Sequence, residues 1–135
     1  MVLAFRRARL EHAPALYKSQ TFNVLTNSTA VAKIYGEAAV KSTGASGRDV
    51  MIAVHRGLCP TGGYAVVVES VELVGCVLKV RVRHAEPSPA DFVTLIPTYP
   101  SDTVIVSRHY FSFQGAYRAE FSLGEKKVAS VPFVL

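Results

Sequence analysis

Apolar and β-branched residues recur in short runs: VLAFRRARL (2–10), TFNVLT (21–26), DVMIAVHRG (49–57), YAVVVESVEL (64–73), CVLKVRVRH (76–84), FVTLI (92–96), TVIVSRHYFSF (103–113), AYRAEFSL (116–123) and KKVASVPFVL (126–135). Clusters of Gly, Pro, Ser and Asn separate most of them. Short strands at this spacing predict a mainly β fold, an antiparallel β-sandwich or a partly closed barrel. One segment has a different period. In TNSTAVAKIYGEAA, Asn27 or Ser28 can cap a helix whose apolar residues Val31, Ile34, Tyr35 and Ala38 form one stripe, so one short helix is predicted near residues 28–38. Gly36 weakens it, and KSTGASGRD, 41–49, reads as a flexible loop.

Phase within the runs adds detail. VELVGCVLKV reads as a hairpin with Gly75 at its tip in positive φ, placing Val71, Leu73, Leu78, Val80 and Val82 toward one core. Val66 and Val68 have the opposite parity to Val71 and Leu73. The strand is therefore either covered on both faces or shifted in phase by a β-bulge near Glu69 and Ser70. Pro87, Pro89, Pro97 and Pro100 exclude a central strand between 84 and 103 and predict a surface connection that tucks Phe92, Leu95 and Ile96 inward. Phe111 and Phe113 are expected to pack across a turn near Gln114 and Gly115 against Phe121, with Pro132 marking an edge. TVIVSR is a candidate open edge for strand addition.

Length and composition fit one domain, residues 1–135, with half the chain apolar and 19% charged. No apolar run reaches the roughly 18 residues that a membrane-spanning helix needs. Arg6, Arg7 and Arg9 follow only four apolar residues, the reverse of a secretory signal's order, so no export signal is visible and localisation stays open. The formal charge of +5 permits an acidic partner without requiring one. Lys79, Arg81 and Arg83 alternate with Val80 and Val82, which on a strand places the cations on the solvated face and the valines inward. A nucleic-acid stripe is the lesser alternative, since no RNA-binding signature, helix-turn-helix pattern or zinc finger accompanies the cations.

Candidate chemistry is sparse. His12, His55, His84 and His109 lie far apart with no Cys or carboxylate at ligand spacing, so neither a metal site nor a cofactor is expected. Cys59 with His55 four residues earlier is the one thiol and base pairing to weigh, but four extended residues span roughly 13 Å, which favours a structural cysteine and a non-enzyme. A Cys59–Cys76 bridge is disfavoured by a simple hairpin register. Gly62 and Gly63 lead into a β run, unlike a phosphate loop. There remains Cys59-Pro60-Thr61-Gly62-Gly63-Tyr64. Pro60 suits the first corner of a type I turn over residues 59–62, Gly62 the positive-φ position, and Gly63 a close backbone approach. The stretch is either the closing turn of a β-hairpin or a stiff, protruding loop that meets a partner at low ordering cost.

Residues 50–108 resemble the C-terminal domain of the protease complex subunit PrcB family. The resemblance rests on the strand ending at Gly57, on Pro60 to Tyr64, on Val71 and Glu72, on Pro87 and Pro89, and on Tyr99 and Pro100. It implies a non-catalytic domain, usual in exported or envelope proteins, named for a subunit that associates with and stabilises a surface protease. On this reading residues 59–64 contact another protein, and 109–135 are additional C-terminal strands. CPTGGY is also similar to one loop of chagasin-type cysteine-peptidase inhibitors, which implies an alternative role as a peptidase inhibitor. Their second glycine-rich loop and Arg-Pro-Trp segment have no counterpart, Trp being absent from the sequence.

Overall fold

The computed structural model describes residues 1–9, 18–43 and 47–135. Among these are eight strands: β1 (Phe5–Ala8), β2 (Thr21–Leu25), β3 (Asp49–His55), β4 (Ala65–Val74), β5 (Val77–Ala85), β6 (Ser101–Ser107), β7 (Ala116–Leu123) and β8 (Lys126–Val134). They form two four-stranded sheets in the orders β1-β6-β3-β2 and β4-β5-β7-β8. Val50, Ile52, Val54, Val104 and Val106 from the first sheet meet Val66, Val68, Leu78, Val80, Val82, Ala119, Phe121 and Phe133 from the second in one buried core. The sandwich is thus observed, and it is not a closed barrel.

The outer face of the first sheet carries the helices. Asn27 caps α1 (Ser28–Tyr35) by accepting the Ala30 N–H at 2.7 Å. Gly36 ends that helix, and α2 (Glu37–Thr43) follows at once, so the predicted helix is present but broken at its glycine. Helix therefore replaces the start of the expected 41–49 loop, while residues 44–46 of that loop, and His12 with the end of the 2–10 run, lie outside the described residues. Val31, Tyr35 and Ala39 bury themselves on Leu25, Met51, Ala53 and Ile105. This cover explains why β3 is apolar on both faces.

Parity is resolved by the bulge. Val68 pairs with Val82 and Ser70 with Arg81, leaving Glu69 as the extra residue, and Val66, Val68 and Val71 are all buried. Asp102 of β6 uses the disturbed ladder there: its Oδ2 accepts the Val68 N–H at 2.8 Å and Arg7 Nε at 3.2 Å, which ties the two sheets together. Gly75 has φ 60 at the β4–β5 tip, as the hairpin requires.

Several expectations fail for identifiable reasons. β5 and β7 are parallel, because the intervening chain crosses to the first sheet as β6 before returning. β6 lies between β1 and β3, so TVIVSR is not an open edge. The 103–113 run ends as a strand at Ser107, and Arg108–Tyr110 is a single 3-10 turn. Phe113 stacks on Tyr117 at 4.5 Å and Phe111 meets Tyr117 edge-on at 5.2 Å, while Phe121 instead faces Phe22 at 4.7 Å across the sandwich. Pro132 does lie on an edge strand, β8.

His55 closes β3 beneath α1. Its Nε2 lies 2.8 Å from the Tyr35 hydroxyl, which accepts from Asn23 Nδ2 at 2.7 Å. Burial pushes the imidazole pKa from 6.5 down to about 4. The unfolded chain therefore gains a proton on this ring below pH 6.5 that the folded chain refuses until about pH 4. Stability is expected to fall across that window by up to about 3 kcal/mol and to level off below it. Urea unfolding at several pH values checks this: His55→Gln should remove most of the slope, and an unchanged slope would assign it to other groups.

Candidate functional site: a stapled surface lobe

The 59–64 stretch joins strands of different sheets, β3 in the first and β4 in the second, so it is not a hairpin turn. The chain leaving β3 stays hydrogen-bonded to the segment that leads into β6, and the β3–β6 ladder continues beyond the sheet in irregular form. Arg56 donates its N–H to Pro100 O at 2.9 Å, Cys59 and Thr98 exchange bonds at 2.8 and 2.9 Å, and Gly62 donates to Thr94 O at 2.9 Å. Thr98 Oγ1 adds a bond to Thr61 O at 2.8 Å. Residues 59–64 therefore do not protrude freely. They form the underside of a lobe whose outer layer is the proline-containing segment 86–100, here called the finger.

The two glycines make this contact close. A Cβ on Gly62 would lie 2.6 Å from Thr94 Oγ1. At Gly63, φ is 85, and a Cβ there would lie 2.7 Å from Pro87 Cβ and 2.9 Å from Val93 Cγ1. Positive φ thus falls on Gly63, one residue later than predicted, because the chain must turn toward the second sheet after Gly62 has bonded to Thr94. Cys59 is buried and its Sγ approaches Gly57 O at 3.8 Å; Cys76 is exposed at the β4–β5 tip, and both thiols are free. Pro60 is exposed, Thr61, Gly62 and Tyr64 are half-buried, and Gly63 is exposed.

Arg56 organises the base of the lobe and carries no signal in the sequence beyond being a lone cation between a buried strand and a glycine. Its Nη1 donates to Ala65 O at 3.1 Å and Ala85 O at 2.6 Å, and its Nη2 to Glu86 Oε1 at 3.0 Å. The guanidinium also lies 4.9 Å from the centroid of the Tyr64 ring. It thereby fixes the start of β4, the end of β5 and the root of the finger at once. Burial, reinforced by the Arg56 charge and opposed by Glu86, lowers the pKa of neighbouring His84. Farther out, Asp91 closes a turn by accepting the Ser88 N–H at 2.7 Å.

The expectation that the finger tucks its large apolar residues inward is overturned. Phe92 is 107% exposed, Leu95 86% and Ile96 69%, and Leu58 is also 50% exposed. Val93 and Pro87 are the finger residues set against Gly63, while Phe92, Leu95 and Ile96 stay exposed. His55 and Cys59, weighed together from the sequence, bond to different neighbours: the His55 ring to Tyr35 of α1, the Cys59 thiol to Gly57 O and the Cys59 backbone to Thr98. Lys79, Arg81 and Arg83 do face solvent with Val80 and Val82 buried. Carboxylates interrupt them, since Glu72 pairs in register with Lys79, Glu120 lies opposite Lys79 on β7, and Glu69 is 3.8 Å from Arg83. Among the described residues no helix is long and apolar enough to cross a membrane.

Fold and site together define a two-sheet β-sandwich whose sheets are bridged, at one end, by a stapled lobe. Residues 50–107, which open on β3 and close on β6, match the family model described as PrcB C-terminal, and over that segment the chain is similar to this family. No curated protein and no solved structure matches the chain. The matched segment does not build the sandwich alone: β7 and β8, beyond it, complete the second sheet and supply Phe121 and Phe133 to the core.

Proposed function

We propose that the protein is a non-catalytic binding module that associates with a protease and meets it at the lobe formed by residues 59–64 and 86–100. The observation that carries this reading is the exposure of Phe92, Leu95 and Ile96 together, on the segment similar to the PrcB C-terminal family. Large apolar side chains exposed within one short segment mark interaction sites. The family resemblance supplies the kind of partner, a protease that the subunit stabilises. The non-catalytic part is supported by the engagements of His55 and Cys59, each held in a packing role.

Adding the purified full chain to the proteolytic fraction of its native host tests the reading. Protease activity is expected to elute earlier on size exclusion, together with the chain, and to decay more slowly at growth temperature, because binding to the folded form stabilises it by mass action. Activity that elutes and decays identically with and without the chain would overturn the proposal, as would substrate turnover by the chain alone.

A further inference from the structure

The finger and a cleft of the same chain lie at opposite ends of one strand. β6 leaves the finger at Ser101 and ends at Ser107, beyond which Arg108, Phe111, Phe113 and Leu135 line a cleft of about 350 Å³. β3 runs the other way beside it, so Arg56 bonds to Pro100 at the finger end and Arg108 to Arg48 at the cleft end. Seven strand residues at about 3.3 Å each hold the two roughly 20 Å apart. Main-chain bonds tie the finger to Arg56, Cys59 and Gly62, so it cannot fold back onto its own cleft.

The two surfaces match in chemistry. Phe92, Leu95 and Ile96 are exposed within one short segment, and the cleft presents the rings of Phe111 and Phe113. A cavity of roughly 150 Å³ holds a benzene-sized group, so this cleft has room for more than one of those side chains. Their charges complement each other as well. Asp91, exposed next to Phe92, forms no ion pair among the described residues. Arg108 donates to Gly47 O at 2.8 Å and likewise has no carboxylate partner there, and no Asp or Glu lines the cleft. Lys18 and Arg56 also adjoin the lobe. Arg56 is paired with Glu86, however, and exposed Lys18 sits beside Leu58, whose N–H its carbonyl accepts. Asp91 is thus the charge next to the exposed apolar residues.

From this we infer that copies of the chain associate head to tail, the apolar residues of one finger entering the cleft of the next copy and Asp91 meeting its Arg108. The contact joins two different surfaces at opposite ends, so it propagates instead of closing as a symmetric dimer. It is small, and therefore weak and reversible. It also covers the residues assigned above to the protease contact. The two contacts exclude each other, and self-association keeps the finger covered until the protease displaces it; this consequence rests on the function proposed above.

Sedimentation of the purified full chain tests the inference. Weight-average mass is expected to rise between about 10 μM and 1 mM and to pass the dimer without a plateau. Leu95→Asp and Phe113→Asp should each weaken association by at least about 10-fold. Mixed together, the two variants should form a one-to-one pair and go no further, because one keeps its cleft and the other its finger. Should Phe113→Asp upset its stack on Tyr117, a charge reversal serves instead. Arg108→Glu and Asp91→Arg should each associate several-fold more weakly alone, and their mixture should recover the strength of the parent. A chain that stays monomeric up to about 1 mM, a mass that levels off at the dimer, or association unchanged in Leu95→Asp or in both cleft variants would overturn the inference. Protease co-elution would then still stand on its own. Self-association without any co-eluting protease would overturn the proposed function and leave the self-contact intact. Protease that co-elutes with the parent but leaves its assemblies undissociated would overturn the exclusion of one contact by the other.

Discussion

Gly63→Val is expected to lower stability by about 3 kcal/mol and to detach the finger from the loop beneath it. A β-branched residue at φ 85 carries a conformational penalty of roughly 1–2 kcal/mol. Its Cβ would also stand 2.7 Å from Pro87 Cβ and 2.9 Å from Val93 Cγ1, an overlap that costs a further 1–3 kcal/mol, roughly, in a packed site. Neither neighbour can yield cheaply, since one is a ring fixed by its backbone and the other a β-branched side chain. The strain is relieved by moving the finger outward, which breaks the bonds from Gly62 to Thr94 and between Cys59 and Thr98. Urea unfolding should report the loss, and hydrogen exchange should show the Gly62 and Thr98 amides losing protection while Val80 and Val104 keep theirs. A variant within about 0.5 kcal/mol of the parent, with both amides still protected, would refute the close fit of the finger on Gly63.

Arg56→Met should cost about as much, by a different route. The methionine keeps the apolar stem and removes the guanidinium, leaving the carbonyls of Ala65 and Ala85 without their donor and Glu86 without its ion pair. Unsatisfied, partly buried acceptors cost about 1–3 kcal/mol each, so a loss of about 3 kcal/mol follows even with partial hydration. At this chain length that corresponds to a fall in Tm of about 10 °C. Arg56→Lys should recover only part of it, because an ammonium cannot reach two carbonyls and a carboxylate in the guanidinium's planar arrangement. Equal melting of Arg56→Lys and the parent would mean that charge alone, not the fork geometry, holds the root of the finger.

What the sequence made legible was local in nature. Alternation placed Lys79, Arg81 and Arg83 outside and Val80 and Val82 inside, and the parity clash between Val68 and Val71 left either cover on both faces or a bulge near Glu69 and Ser70, of which the bulge is observed. Asn27 and Gly75 announced a cap and a tip through their own backbone chemistry. What failed was non-local. The pattern around 59–64 is compatible with a hairpin because a run of residues says how a strand lies but not which strand lies beside it; the true neighbour of this stretch is 94–98, on the far side of two strands in sequence. The finger departs from expectation for a related reason. Phe92, Leu95 and Ile96 are apolar enough to predict burial, yet Pro87 and Val93 are the residues set against Gly63 and the three stay exposed. Arg56 was invisible because its partners are carbonyls, which every sequence contains at every position.

Residues 59–64 are bonded to the 94–98 segment and do not stand free. Cys59, Pro60, Thr61, Gly62, Gly63 and Tyr64 are drawn into one structure, as an underside whose small residues permit close approach, and the exposed apolar area lies on the segment above them. Replacing Pro60, Thr61 and Gly62 together would disturb that support and the contact surface at once. Single substitutions that leave the backbone bonds intact separate the two.

The direct test is the affinity of the co-eluting protease, once purified, for Leu95→Asp and for Pro60→Ala, both exposed positions with no side-chain hydrogen bond to lose. If the finger makes the contact, Leu95→Asp weakens binding by about 100-fold, as a carboxylate placed in an apolar hot spot should, and Pro60→Ala changes it by less than about 3-fold. The reverse order, or equal affinities for Leu95→Asp and the parent chain, would contradict the account.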